Sequence, residues 1–254
     1  MGIGPLLSWK NTSSSTFISN FSIPMILSFI SGLFYMIFTD EFKIYPFITS
    51  MGIVFTLTSI IRELQKSFKS SYNNNSSLSK AILQLLSKNR HKNGGYIVHI
   101  GITLLFVGFV GRAFEVEKEF VLSPGEEIYF ANHIFKLNNV TSEARDNHYA
   151  FISDMDVVDE NNKYLTTLYP EKRIYFYWNP DPDKRQPHSE LDIYSTMSKD
   201  IYSIFSSYDA QKNEAYFKIM INPLVNWVWI GGIVIVFGAL FAFWPSSRRN
   251  YGTV

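Results

Sequence analysis

The chain has 254 residues, 46% of them hydrophobic, and its 23 basic and 22 acidic side chains leave a formal net charge of +1. This balance excludes the strongly basic surface that is typical of nucleic-acid-binding proteins. The absence of cysteine excludes disulfides, thiolate metal sites and cysteine nucleophiles. The sequence also has no nucleophile elbow, phosphate loop or metalloprotease helix, so we predict that this chain alone contains no catalytic residue.

Four apolar runs without Asp, Glu, Lys or Arg are long enough to cross a bilayer, which takes roughly 17 to 25 helical residues. They cover residues 21–38, 44–61, 94–111 and 224–244. The first run follows a segment rich in Ser, Thr and Asn rather than a basic one, so we expect a retained span and not a cleaved signal peptide. The pair Asn222 and Pro223 predicts the start of the last helix, since proline suits a first helical turn.

Basic residues are concentrated between the second and third runs and after the fourth, which predicts that these regions lie on the inner side of the membrane. The protein is then a multi-pass protein of a bacterial inner membrane or a mitochondrial inner membrane, and these two alternatives stay open. The segment between the third and fourth runs is expected on the outer side, in the periplasm or the intermembrane space. The basic residues are Arg62, Lys66, Lys69, Lys80, Lys88, Arg90, Lys92, Arg248 and Arg249.

The outer segment alternates apolar and polar residues between turn signals, as short strands do. We therefore predict a mixed α + β membrane protein, in which four transmembrane helices carry a compact antiparallel β domain, a sandwich or a barrel, between helices three and four. The strands are predicted at residues 119–122, 127–130, 133–140, 149–158, 164–168, 173–177 and 216–221.

The predicted organisation has seven parts. Two helices and a helix with a single histidine precede the β domain, and one helix follows it. The parts are an inner N-terminal segment (1–20), two helices (21–61), a basic inner loop (62–93), the histidine-bearing helix (94–114), the outer β domain (115–221), the last helix (222–244) and an inner tail (245–254).

His99 is the only His, Asp, Glu, Lys or Arg side chain within the four apolar runs. Such a residue in a span indicates a functional site, although a hydrogen bond to a neighbouring helix is the alternative. At about 100° per residue, His99 shares one helix face with Gly95 and Thr103, while Gly101 and Gly108 lie nearly opposite. The glycine side allows close packing to a helix, and the histidine side can meet a prosthetic group. The full histidine side, called here the His99 face, comprises Gly95, His99, Thr103, Phe106 and Val110.

A lone imidazole cannot hold zinc, but it suits an axial ligand of haem iron, because the porphyrin supplies four nitrogens. The second axial ligand would have to come from a helix of another chain or another copy. The remaining histidines show no ligand spacing and are predicted to be ordinary surface residues. They are His91, His133, His148 and His188.

A proline and three charged residues stand between two aromatic strand runs, in the sequence LYPEKR at residues 168–173. This segment presents either an acidic and basic edge to a partner or a solvated hairpin, since loops both recognise and simply connect. Sequence alone favours neither interpretation.

Five motifs stand out along the chain: MGIGPLLSWK, GGYIVHIGITLLFVG, LYPEKRIYFY, INPLVNWVWIGG and the closing Trp-Pro with two arginines. Together they resemble the C-terminal part of the CcmF-type cytochrome c haem lyases, a family that includes the paralogous NrfE proteins. The resemblance covers residues 1–12 and about 94–249. It implies that His99 corresponds to one of two transmembrane ligands of a b-type haem. The other ligand, the tryptophan-rich segment and two outer-face histidines of that family are not in this chain.

The resemblance implies a subunit that supplies His99 to the iron of haem b, shared with a histidine on a partner chain. The family adds apocytochrome thiols to haem vinyl groups, and this chain is not expected to do so alone. The implied partners are an N-terminal CcmF-like chain with the tryptophan-rich segment, other haem lyase and haem-delivery subunits, apocytochrome c and the lipid bilayer. A naturally split gene or a truncated product would give such a chain. The alternative function is a non-catalytic membrane scaffold of a cytochrome assembly complex.

Overall fold

The computed structural model describes residues 14–39, 41–73, 90–176, 181 and 186–244. These residues form two compact units, a helical unit with Met1–Ala113 and Trp227–Val254, and a β unit with Phe114–Asn226. Residues 1–13 of the predicted inner N-terminal segment, residues 74–89 of the basic loop and the whole inner tail lie outside the described residues.

The helical unit contains four helices that are apolar and long enough to cross a membrane, among the residues that the structure describes. Only 17–28% of the residues in their apolar windows are buried, so most of their surface is free to meet lipid or another protein. The helices are α1 (Ser14–Phe38), α2 (Ile44–Asn73), α3 (Arg90–Gly111) and α4 (Asn226–Phe243).

Helices α1 and α2 pack as a hairpin. Within it, Ser28 Oγ donates a hydrogen bond to the carbonyl oxygen of Met51 at 2.9 Å. The loop between them is tied to α3, because Lys43 Nζ donates to the carbonyl oxygen of Ala113 at 2.6 Å. This carbonyl lies just beyond the end of α3, where backbone acceptors have no partner within the helix. The lysine therefore holds the α1–α2 loop at one end of α3.

Glycines bring α3 and α4 into close contact. A Cβ atom built on Gly101 would lie 2.8 Å from the carbonyl oxygen of Gly231, and one built on Gly238 would lie 2.8 Å from the backbone nitrogen of Val98. Real Cβ atoms do not approach backbone this closely, so only glycine fits. The close packing predicted for the glycine side of α3 is confirmed at Gly101, and its partner is α4. Gly94 is equally tight against Ala242.

Several helix ends differ from the prediction. Helix α1 begins at Ser14 rather than at residue 21, and α3 begins at Arg90 rather than at residue 94. Helix α2 continues to Asn73, past the predicted end of the span at residue 61. Pro223 does not open the last helix, because it is the final residue of a strand and pairs with Lys199. Leu224 then adopts a left-handed conformation with φ of 63° and donates its N–H to Ser198. The helix starts only at Asn226, after this turn.

The β unit is an antiparallel sandwich of two sheets, which confirms the predicted fold class. One sheet has the strand order β1-β10-β9-β8, and the other has the order β2-β3-β4-β6-β7 with β5 paired to β4. The strands are β1 (Val116–Leu122), β2 (Glu127–Phe130), β3 (His133–Ala144), β4 (His148–Asp159), β5 (Tyr164–Leu168), β6 (Glu171–Tyr175), β7 (Pro187–Glu190), β8 (Asp192–Ser195), β9 (Lys199–Asp209) and β10 (Glu214–Pro223).

The core of the sandwich lies between the two sheets. Phe205 of β9 and Phe217 of β10 stack with ring centroids 5.1 Å apart, and both are buried. From the other sheet, alternate residues of β3 and β4 point inward, as the period of two in a strand requires. They are Phe135, Leu137, Met155 and Val157, each fully buried.

Strands β7, β8 and β9 are absent from the sequence prediction. The first two have only four residues each and carry polar side chains, and β9 places Ser203 at a buried position. Strand β6 covers Glu171–Tyr175 rather than the predicted 173–177, because Glu171 already pairs with Ile152.

The prediction that all four remaining histidines lie on the surface is wrong for two of them. His133 is 1% exposed and His148 is 7% exposed. His133 begins β3 on the same strand face as Phe135, and its Nδ1 donates to the carbonyl oxygen of Ala131 at 2.6 Å. His148 Nδ1 donates to Asn147 Oδ1 at 2.6 Å. Each imidazole thus keeps one ring nitrogen hydrogen-bonded inside the domain.

We expect the β unit to lose stability as the pH falls below about 6.5, the ordinary pKa of histidine. Burial lowers the pKa of His133, against a smaller opposing effect of its bond to Ala131. The unfolded chain then binds a proton before the folded chain does, so stability is present above the unfolded pKa and falls with pH. Each unit by which the pKa is lowered contributes about 1.4 kcal/mol to the free energy of unfolding.

Denaturant unfolding of the full chain in detergent, followed by β-sheet circular dichroism, measures how the free energy of unfolding depends on pH. His133→Gln should flatten this dependence, whereas His91→Gln, at an exposed position, should not.

We expect Gly101→Leu to destabilise the helical unit by about 1–3 kcal/mol or more, because the added side chain must displace the backbone of α4. Gly232→Leu is the matched control, since a Cβ there meets no atom within 4 Å. Thermal unfolding of both variants in detergent measures the difference. Equal unfolding temperatures would contradict the close α3–α4 contact.

Candidate functional site

His99 lies near the middle of α3 and is half-buried. Its Nδ1 atom is buried and has no hydrogen-bond partner among the described residues. A buried polar atom without a partner costs free energy unless a further group binds it. On α3, the described residues leave two buried polar atoms without a hydrogen-bond partner, His99 Nδ1 and the Tyr96 hydroxyl, and only the imidazole can serve as a nitrogen ligand.

The helical turns before and after His99 differ in the free space and the free polar groups that they present. One turn earlier, a Cβ built on Gly95 meets no atom within 4 Å, so the helix surface beside the imidazole is bare. One turn later, Thr103 is buried, and its Oγ1 donates to the carbonyl oxygen of His99 at 2.7 Å. The threonine hydroxyl is thus satisfied by the helix itself. His99 is left as the one nitrogen donor on the His99 face.

A cavity of about 330 Å³ lies between α2 and α3. Thr103 and Phe106, two members of the His99 face, form part of its wall. The full lining is Thr49, Gly52, Ile53, Thr56, Ile102, Thr103 and Phe106.

An acidic side chain fixes the level at which α2 meets α3. Glu63 of α2 has a side chain only 13% exposed, and its carboxylate lies 2.9 Å from Lys66 Nζ and 3.5 Å from Lys92 Nζ. Lys92 Nζ also lies 5.6 Å from the ring centroid of Tyr96. Lys66 donates to Asn20 Oδ1 at 2.7 Å, which brings α1 into the same cluster. The cluster therefore joins three helices near the first turn of α3, two helical turns before His99.

The number of metal-ligating side chains near His99 determines which metal or cofactor it could bind. The described residues contain no group of three or more His, Asp or Glu side chains that could hold a metal ion. A single imidazole beside an apolar cavity fits an axial ligand of a porphyrin iron, which needs only one protein donor on each side. The open space at Gly95 leaves room for a flat group beside the imidazole.

The predicted charged segment of residues 168–173 forms an ionic network within the β unit. Glu171 has a side chain 14% exposed and accepts two hydrogen bonds from Arg145, at 3.1 and 3.2 Å. Arg173 donates to the same carboxylate at 2.6 Å and lies 3.5 Å from Glu190. Burial alone would raise the pKa of Glu171, but the hydrogen bonds from Arg173 and Arg145 outweigh it and lower the pKa. Arg145 lies in the β3–β4 turn, and no sequence motif marks it as a partner of Glu171.

We expect Glu171→Gln to lower the stability of the β unit, because Arg145 and Arg173 would lose their shared carboxylate. Since the pKa of Glu171 is lowered, the loss should be present near neutral pH and should shrink as acid protonates the wild-type carboxyl. Unfolding at two pH values measures this. Glu127→Gln, at an exposed position on β2, is the control and should leave the stability unchanged. Equal stabilities of the two variants would contradict the network.

Both units are similar to parts of known proteins. Residues 113–223 match a family model described as the CcmF C-terminal beta-sandwich. The chain is 23% identical over 253 residues to the cytochrome c-type biogenesis protein CcmF of Haemophilus influenzae, covering 98% of this chain and 36% of that protein. It is 30% identical over 160 residues to the cytochrome c-type biogenesis protein ccl1 of Rhodobacter capsulatus, covering 62% of this chain and 23% of that protein.

A solved structure, "Cytochrome c Heme Lyase CcmF", has the same fold with a TM-score of 0.73 at 16% sequence identity. The match covers 96% of this chain and 37% of that chain. The described helices and the sandwich thus occur together in a larger protein. This chain spans about a third or less of the length of these relatives.

Proposed function

We propose that this chain, which corresponds to the C-terminal part of CcmF-type proteins, is a subunit of a cytochrome c haem lyase in c-type cytochrome biogenesis. In this proposal His99 is one axial ligand of a b-type haem, and a histidine of a partner chain is the other. A haem of this kind supplies one-electron redox chemistry to the site. The thioether chemistry itself is not assigned to this chain.

The observation that carries the proposal is the state of His99. Its Nδ1 is buried without a partner among the described residues, and two members of its face, Thr103 and Phe106, line the cavity between α2 and α3. Thr103 holds the carbonyl oxygen of His99 and so stiffens the turn that presents the imidazole. Gly95 leaves room for a flat ring over the preceding turn. The chain's own part is to position and orient one ligand.

The proposed partner is an N-terminal CcmF-like chain that carries the tryptophan-rich segment and the second ligand. One observation supports it: most of the surface of the described helices is unburied and can contact another chain. We further propose that the β unit lies on the outer side, as the basic inner loops predict, and contacts apocytochrome c or the other haem lyase and haem-delivery subunits. The bilayer surrounds the four helices.

The second candidate function is a scaffold, in which His99 only bonds a neighbouring helix. The charged network around Glu171 favours this candidate, because its charged groups pair with one another within the β unit. The lack of a helix partner for Nδ1 among the described residues counts against it.

We expect His99→Ala, co-expressed with the N-terminal partner, to abolish the b-type absorption of the reduced complex, because the iron loses one ligand. Cytochrome c maturation should fall with it. His91→Ala is the matched control, since His91 is exposed on the first turn of the same helix and should leave both signals intact. Immunoblotting shows that the variants accumulate in the membrane. A His99→Ala complex with an unchanged spectrum and normal maturation would contradict the haem assignment and favour the scaffold.

A further inference from the structure

The glycines of the helical unit fall into two classes. Some are closed, because a Cβ would strike another helix, as at Gly101. Three others in the described helices are open, because a Cβ there would meet no described atom within 4 Å. Glycine is a poor helix former, so a helix with a glycine is less stable than one with alanine at that position. At an open glycine, close packing within the described chain does not explain this cost. The open glycines are Gly52, Gly95 and Gly232.

Gly52 is the open glycine that lines the cavity between α2 and α3. The contact between Glu63 and Lys92 sets the antiparallel register of these helices. Counting seven residues back along α2 from Glu63 reaches Thr56, and counting seven forward along α3 from Lys92 reaches His99. Both steps are two helical turns, about 10.5 Å. Thr56, which also lines the cavity, is therefore level with His99.

The cavity is next to His99 along the same helix face. Relative to His99, Ile102, Thr103 and Phe106 lie within about 60° around α3 at 100° per residue. All three line the cavity, and α4 packs on the opposite side of α3 at Gly101. A group bound to the imidazole on this face has α2 as its nearest wall within the chain.

The cavity is large enough to enclose only part of a large flat ligand. Its 330 Å³ is at the lower end of the range of about 300–1,000 Å³ that is typical of small-molecule sites. Its wall consists mainly of apolar atoms from Ile53, Ile102 and Phe106, with the threonine side chains between them. Such a wall suits the edge of a flat apolar ring, with the rest of that ring covered by another chain.

We infer that the cleft between α2 and α3, walled by Gly52, Thr56 and Thr103, receives one edge of the haem that His99 binds. Helix α2 is then a second wall of the haem site, and Gly52 determines whether the ring fits. This inference rests on the proposed function and adds to it a binding surface without an iron ligand.

The test compares leucine at the open glycines in the full chain, co-expressed with its N-terminal partner. Gly52→Leu should fill the cleft and lower the haem retained per chain about tenfold, equivalent to about 1.4 kcal/mol of binding free energy. Gly52→Ala should give a smaller loss. Gly232→Leu, an equally unobstructed change on α4, should retain haem at the wild-type level. The readouts are b-type absorbance of the purified complex and the amount of chain by immunoblot.

The outcomes separate the inference from the proposed function. If His99→Ala loses haem and Gly52→Leu retains it with an unchanged spectrum, the cleft is not part of the site and the inference is overturned, while the proposed function stands. If His99→Ala retains haem, the proposed function fails. Should Gly52→Leu reduce the amount of chain, Gly52→Ala decides: an unchanged ratio of haem to chain would also overturn the inference.

Discussion

The close approach of α3 to α4 determines which side of α3 is available for a ligand. Gly101 and Gly231 let the two backbones come within contact distance, and Gly238 does the same against Val98. In a bilayer, where apolar side chains gain little by leaving lipid, such small-residue contacts are a main source of helix association. Because one side of α3 is committed to α4, His99 on the opposite side is turned away from it. The position of the imidazole is thus a consequence of glycine packing on the far side of its helix.

The second constraint is ionic and lies at the end of the same helices. Glu63 is held by Lys66 and Lys92, and Lys66 in turn contacts Asn20. Both lysines are about half exposed, so each ion pair contributes modestly, but the two pairs share one carboxylate and act together. This cluster opposes sliding of α3 along α2. Sliding by one turn, about 5.4 Å, would move His99 out of level with Thr56, so the register matters for the shape of the cleft.

The sequence predicts the local part of this arrangement and misses the long-range part. The opposition of His99 and Gly101 follows from helix periodicity alone, and the resemblance to the C-terminal part of the CcmF-type family is confirmed by the matched relatives. The partner of the glycine side could not be predicted, since any apolar helix satisfies the pattern, although Gly231 and Gly238 repeat the spacing of seven in Gly94 and Gly101. Strand β9 was missed because Ser203 interrupts its apolar alternation. His133 was misjudged by residue type, yet its period of two with Phe135 and Leu137 is the signal of a buried position.

If a second chain supplies the other ligand, as proposed, the site has a thermodynamic consequence. The His99 face offers one nitrogen donor, the cleft beside it has limited volume, and the described helices are largely unburied. In the proposed function, a haem with one ligand from each chain stabilises the complex over the separate chains, by the same mass-action linkage that couples any ligand to the state that binds it. The linkage is reciprocal. Association of the chains raises the affinity for haem, and haem raises the affinity of the chains for each other, so loading and assembly of such a lyase are one coupled equilibrium.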